Sequence, residues 1–126
     1  MSEIQTKYFT PAEANRTLPL VKKIVRDILN DAFQLKTISE TFGGDVENNN
    51  EFKQLTISIN GYMSELEEIG CSYKDWSFQF GLVDFPSIIN GEEVLLCWRS
   101  DENEVRYYHG INDGFAGRKP IPQDYL

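Results

Sequence analysis

The sequence predicts an α+β fold: a long antiparallel helical hairpin packed on a small three-stranded antiparallel β-meander, ending in an irregular glycine-rich C-terminal tail. Three observations predict it. Apolar residues recur at helical spacing across residues 10–70. Asn90-Gly91, the dipeptide of a tight hairpin, separates two apolar runs. From Gly110 to Pro120, glycine and proline are too frequent for a regular element. The 126 residues fit one domain, with the hairpin over about 10–70 and the meander and tail over about 71–126.

The helices come first. In Thr10-Pro11-Ala12-Glu13, Thr10 can cap a helix, Pro11 suits its first position and Glu13 completes a capping box. Pro19 has no backbone N–H and disfavours helix at Leu18, so a break is expected near Thr17-Leu18. A longer helix should then run from Pro19 to Phe42, with Val21, Ile24, Ile28, Ala32, Leu35, Ile38 and Phe42 on one stripe and Val25 and Leu29 widening it. Gly43-Gly44 should stop it, and Asp45 to Asn50 reads as a polar loop. The next helix covers about Glu51 to Ile69. Its apolar residues Phe52, Leu55, Ile59, Tyr62, Leu66 and Ile69 keep heptad spacing, and Gly70 is a C-terminal cap. Gly61 inside it is expected to allow close approach of two backbones, and Ile57 and Met63 offer a second apolar surface.

The strands follow. Tyr73, Trp76, Phe78 and Phe80 form an aromatic connector. Leu82 to Ile89 is extended, limited to an edge or bend by Pro86. Glu93 to Arg99 is apolar on both faces, as a central strand should be. One of Cys97 and Trp98 must therefore face the helices and the other the open face. After a turn at Ser100–Asn103, Glu104 to His109 alternates, with Val105, Tyr107 and His109 on one face and Arg106 and Tyr108 on the other.

Charge and composition exclude several functions. The net charge is −8, and residues 1–70 and 71–126 each carry four more acids than bases. With no basic stripe, neither nucleic acid nor an anionic membrane is an expected partner. The N-terminal residues Met1 to Lys7 contain no apolar signal region, no run is long enough to span a bilayer, and the two cysteines sit in unrelated contexts. A cytoplasmic location with free thiols is expected.

Phe9-Thr10 with Glu13-Ala14-Asn15 and Leu18-Pro19, then Gly81-Leu82-Val83-Asp84-Phe85-Pro86, Leu96-Cys97-Trp98, His109 and Gly114-Phe115-Ala116-Gly117-Arg118, form a pattern. It resembles an uncharacterised prokaryotic family, domain of unknown function 2203. The resemblance covers nearly the whole chain. It implies a single-domain cytosolic protein of bacterial or archaeal origin, and no particular activity, cofactor or partner. Members of that family often carry an acid after the histidine, where this chain has Gly110.

The candidate chemistry lies in the last third. His109 is the sole histidine, the one side chain whose ordinary pKa suits acid–base work near neutral pH. Asp84 interrupts an apolar run and must be exposed, paired or hydrogen-bonded; it reads as a turn-forming aspartate or as a partner for Arg99 or Arg118, and an Asp84–Arg118 pair would fasten the tail across the sheet. The glycines before Arg118 could form an anion nest beside its guanidinium. Cys97 could act as a nucleophile only with His109 as base, and no third group is identifiable. His109, Asp84, Asp113 and Glu13 lack the spacing of known metal motifs, so no metal and no cofactor are expected.

The leading functional expectation is a binding or protein-interaction domain, non-enzymatic, using the exposed sheet face and the tail. Trp98, Tyr107, Tyr108, His109, Asp113, Phe115 and Arg118 would contact an unknown protein or a small anionic ligand. One alternative is a small enzyme or metal-dependent hydrolase using His109 with Asp84 or Asp113. Another is a structural homo-oligomer through the helical seam.

Overall fold

The computed structural model describes residues 6–126; residues 1–5, part of the stretch without an apolar signal region, lie outside the described residues. Thr10 starts the first helix with both halves of the capping box. Its hydroxyl accepts the Glu13 N–H at 3.1 Å, and the Glu13 carboxylate accepts the Thr10 N–H at 3.3 Å. Helix α1 then runs unbroken over Pro11–Phe42. The expected break near Thr17-Leu18 does not occur. Pro19 lies on the exposed side of the helix, where the Asn15 carbonyl it leaves unpaired can meet water, while Ala14, Leu18, Val21 and Val25 on the opposite side are buried in the core. That burial outweighs the roughly 3 kcal/mol an interior proline costs.

Gly43 ends α1 at φ 59°. The segment expected as a polar loop is a 3-10 helix over Gly43–Asn48. Asn49 then caps α2, Asn50–Ile69, by accepting the Phe52 N–H at 3.0 Å, and Gly70 closes it at φ 112°. Within the heptad stripe, Ile59 and Leu66 are buried and Phe52, Leu55, Tyr62 and Ile69 are half-buried. Met63 packs against the core, whereas Ile57 points to solvent. Gly61 is not a point of close approach, since a Cβ there would have no neighbour within 4 Å.

The sheet has five strands in the order β1-β2-β3-β4-β5, antiparallel throughout, rather than three. They are β1 Ser72–Tyr73, β2 Leu82–Ile89, β3 Glu92–Arg99, β4 Tyr107–Gly110 and β5 Lys119–Pro120. The two additional strands flank the meander and are two residues long, too short to show any alternation in sequence. Pro120, which cannot donate, is tolerated because β5 is an edge. Asn90 and Gly91 connect β2 to β3 with φ 54° and 78°, the two positive values that a type I′ turn needs.

The turn fixes which side chains face the helices. Val83, Phe85 and Ile89 from β2 and Val94, Leu96 and Trp98 from β3 join the core with Val21, Val25 and Ile28 of α1. Trp98, with its neighbour Val25, is therefore on the helix side. Asp84, Leu95, Cys97, Tyr107 and His109 take the outer face by alternation. Asn15 ties α1 to the chain entering β4: its amide accepts the Val105 N–H at 2.7 Å and donates to the Val105 carbonyl at 3.2 Å. Among the described residues, no helix is long and apolar enough to cross a membrane.

Gly81 marks where the start of β2 passes under α1. A Cβ at that position would lie 2.2 Å from Val25 Cγ1 and 3.1 Å from Ser100 Cβ. Both obstacles are short side chains on fixed elements, so relief requires moving backbone. Gly81→Ala is expected to lower the unfolding free energy by about 1–3 kcal/mol, the range for overpacking, measured by urea titration.

Candidate metal centre

The outer face of the sheet is not open. Residues after β4 turn back across it and bury three polar side chains: Asp84 is 4% exposed, Cys97 1% and His109 3%. They come from three adjacent strands. Asp84 on β2 is the direct cross-strand partner of Cys97 on β3. His109 on β4 pairs with Leu95, one outward-facing position along β3 from Cys97. Its ring reaches over β3 towards β2, and Nε2 lies 3.2 Å from Asp84 Oδ1. One donor atom from each of Asp84, Cys97 and His109 can be chosen so that all lie within 4.8 Å of one another.

The orientation of the imidazole is set from behind. Nδ1 is 2.8 Å from the Gly110 carbonyl oxygen, which can only accept, so Nδ1 carries the hydrogen and donates. Nε2 is then the nitrogen that faces the acid. Burial pushes the Asp84 carboxyl above its usual range, and the adjacent imidazole partly opposes that shift. Burial also pushes the Cys97 thiol up to about 12; the Asp84 carboxylate adds to the rise, and the neighbouring Arg118 guanidinium works against it. A thiol so protonated is a poor nucleophile by itself.

The same three atoms suit a metal ion. Carboxylate oxygen, thiolate sulfur and imidazole nitrogen are the donor types that zinc takes, three from protein in a site with one open position. Around a tetrahedral ion with bonds of ~2.0–2.3 Å, donor atoms stand roughly 3.3–3.6 Å apart. The Nε2 to Oδ1 separation of 3.2 Å lies just under that range, and the three donor atoms lie within 4.8 Å of one another. The Gly110 carbonyl behind Nδ1 is the hydrogen bond that metal-binding histidines normally make. The cluster lies in the floor of an open cleft of about 400 Å³, with Lys74 and Asn112 among its polar lining and Leu95, Ile111 and Phe115 among its apolar lining.

The tail is fixed by arginines stacked among aromatic rings. Phe80, Arg99, Phe115, Arg118 and Tyr107 alternate, with guanidinium carbons 5.6, 5.4, 4.5 and 4.2 Å from successive ring centroids. Each arginine also grips an acid through two nitrogens, Arg99 with Asp101 and Arg118 with Glu102. These pairs replace the expected Asp84–Arg99 or Asp84–Arg118 contact. Asp84 lies too deep on the outer face and is engaged by His109, while Glu102 in the β3–β4 turn meets Arg118 at 2.5 Å. With Glu102 occupying its guanidinium, Arg118 is not the free cation of an anion nest.

The other expected site residues separate. Trp98 is 1% exposed under the helices, its indole donating to the Glu102 carbonyl at 2.9 Å, so it is not at the surface. Asp113 is exposed and packs against Gly110 and Gly117, where added Cβ atoms would come within 2.6 and 2.9 Å of it. It is not part of the buried cluster. Glu13 is engaged in the capping box. Phe115 lines the cleft. Cys97 is the member that sequence reasoning left out of the metal set. Its signal was available in the hairpin: Asp84 stands six residues before Asn90 and Cys97 six after Gly91, so a two-residue turn sets them opposite each other.

Searches of curated proteins and of solved structures find no match to the chain. A family model described as uncharacterized conserved protein (DUF2203) matches residues 7–121. That span contains both helices, the sheet and all three residues of the cluster, and the chain belongs to this family.

Proposed function

We propose that this chain is a metal-binding domain that holds one zinc-like divalent ion through Asp84 Oδ1, Cys97 Sγ and His109 Nε2, with a coordination position open to the cleft. The observation that carries this reading is the convergence of three different donor atoms within 4.8 Å on a buried sheet face. The hydrogen bond that aims Nε2 supports it. The acid and the imidazole already pair with each other, and an ion would engage the thiol with them. The reading takes His109 and Asp84 from the hydrolase alternative, adds Cys97 and leaves out Asp113. Two unpaired cysteines fit a reducing, cytoplasmic compartment.

Isothermal titration of the metal-free chain with zinc is expected to give one equivalent bound. Thermal unfolding should shift upward with zinc, by an amount equivalent to about 4 kcal/mol when free zinc exceeds its dissociation constant 1,000-fold. A second reading is favoured by the 3.2 Å contact itself: Asp84 and His109 form a buried latch between β2 and β4 and need no ion. Under that reading zinc leaves the unfolding temperature unchanged, and His109→Ala destabilises the chain equally with or without zinc.

A further inference from the structure

The surroundings of the cluster specify what an open coordination position would bind, on the footing that the metal reading holds. A divalent ion with the Asp84 carboxylate and the Cys97 thiolate is electrically neutral, and His109 adds no charge when its Nε2 is a ligand. Lys74 lines the same cleft as Asp84, Cys97 and His109. No carboxylate among the described residues pairs with the Lys74 ammonium. The nearby Arg118 charge is cancelled by Glu102. The cleft therefore has one surplus positive charge, which matches a monoanion better than a phosphate dianion. Asn112, a neutral polar residue, is in the same lining. The remaining wall is apolar, with Leu82, Leu95, Ile111 and Phe115 around a space of about 400 Å³. That volume is within the range of small-molecule sites, and the apolar wall offers a surface for a hydrocarbon body.

We propose that this cleft binds a small monocarboxylic acid with an apolar body, its carboxylate on the metal's open position and beside Lys74, its hydrocarbon against Leu95, Ile111 and Phe115. The interaction is reversible binding, and no bond of the acid is broken.

The test uses the full chain loaded with cobalt(II), whose visible absorption reports changes in coordination and whose near-ultraviolet thiolate band reports Cys97. Benzoate is the probe, with benzyl alcohol and inorganic phosphate as comparisons. Benzoate should change the visible spectrum saturably, and benzyl alcohol should not. Phosphate should bind at least tenfold more weakly than benzoate. Lys74→Met should weaken benzoate about tenfold or more, the effect of losing one charge-assisted hydrogen bond, and leave the thiolate band in place. A normal thiolate band with no benzoate response at millimolar concentrations overturns the ligand assignment alone. So does phosphate binding as tightly as benzoate, or Lys74→Met binding benzoate like the unaltered chain. Absence of the thiolate band overturns the metal centre and, with it, this proposal.

Discussion

Replacing Cys97 with serine is expected to weaken zinc binding by roughly 100-fold or more while leaving the chain folded. Even the loss of a hydrogen bond behind a metal ligand costs about 10- to 100-fold in affinity, and here a ligand itself is exchanged for a far weaker one. Serine is nearly the size of cysteine, and its hydroxyl can hydrogen-bond to Asp84 across the β2–β3 pair, so the packing change is small. Cys71→Ser is the matched control. Cys71 is also buried, but its thiol donates to the Leu66 carbonyl of α2 and packs in the core on the helix side, outside the cluster. Calorimetric titration should show Cys97→Ser losing the zinc signal and Cys71→Ser retaining it. Equal zinc affinity in Cys97→Ser would remove the thiolate from the site.

Arg118→Leu is expected to destabilise the chain by about 3 kcal/mol. Breaking a buried ion pair by removing one partner costs roughly 3–5 kcal/mol, because the other charge stays buried without compensation. The Arg118 and Glu102 side chains are 14% and 16% exposed, so the lower end of that range applies. The arginine also stacks between Tyr107 and Phe115 at 4.2 and 4.5 Å, contacts that leucine replaces only in part. Glu102 does a second task, accepting the Arg99 N–H at 2.8 Å in the turn between β3 and β4. Arg118→Leu with Glu102→Leu should recover part of the loss, since no unpaired charge then remains. Chemical denaturation of the two variants measures both effects. If Arg118→Leu is as stable as the original chain, the tail is not anchored by this pair.

The parts of this fold that are legible in the sequence are those encoded by neighbouring residues. Thr10 to Glu13, Gly70 and Asn90-Gly91 act through local backbone chemistry, and each forms the cap or turn its residue types require. Pro19 misleads because its penalty is local while its compensation is not: Leu18 and Val21 are held by a sheet whose strands lie more than fifty residues away. Strands β1 and β5 escape detection because two residues cannot display a period. Within the site, Asp84 and Cys97 follow from the symmetry of one tight turn. His109 does not, because its register with β3 depends on the irregular stretch from Ser100 to Arg106, shaped by Glu102 and by the grip of Asn15 on Val105. The true partner of Arg118, Glu102, is hidden from the sequence for the same reason. The choice between Asp84 and Glu102 depends on depth below the outer face, which no spacing in the sequence reveals.

The most direct test of the metal centre is X-ray diffraction from crystals of the chain grown with zinc, with data on both sides of the zinc absorption edge. A single anomalous peak about 2.0–2.3 Å from Asp84 Oδ1, Cys97 Sγ and His109 Nε2, with its remaining side towards Lys74 and Phe115, is the predicted result. Diffraction showing Asp84 and His109 in direct hydrogen-bond contact with no anomalous peak between them, in crystals grown at saturating zinc, would contradict it.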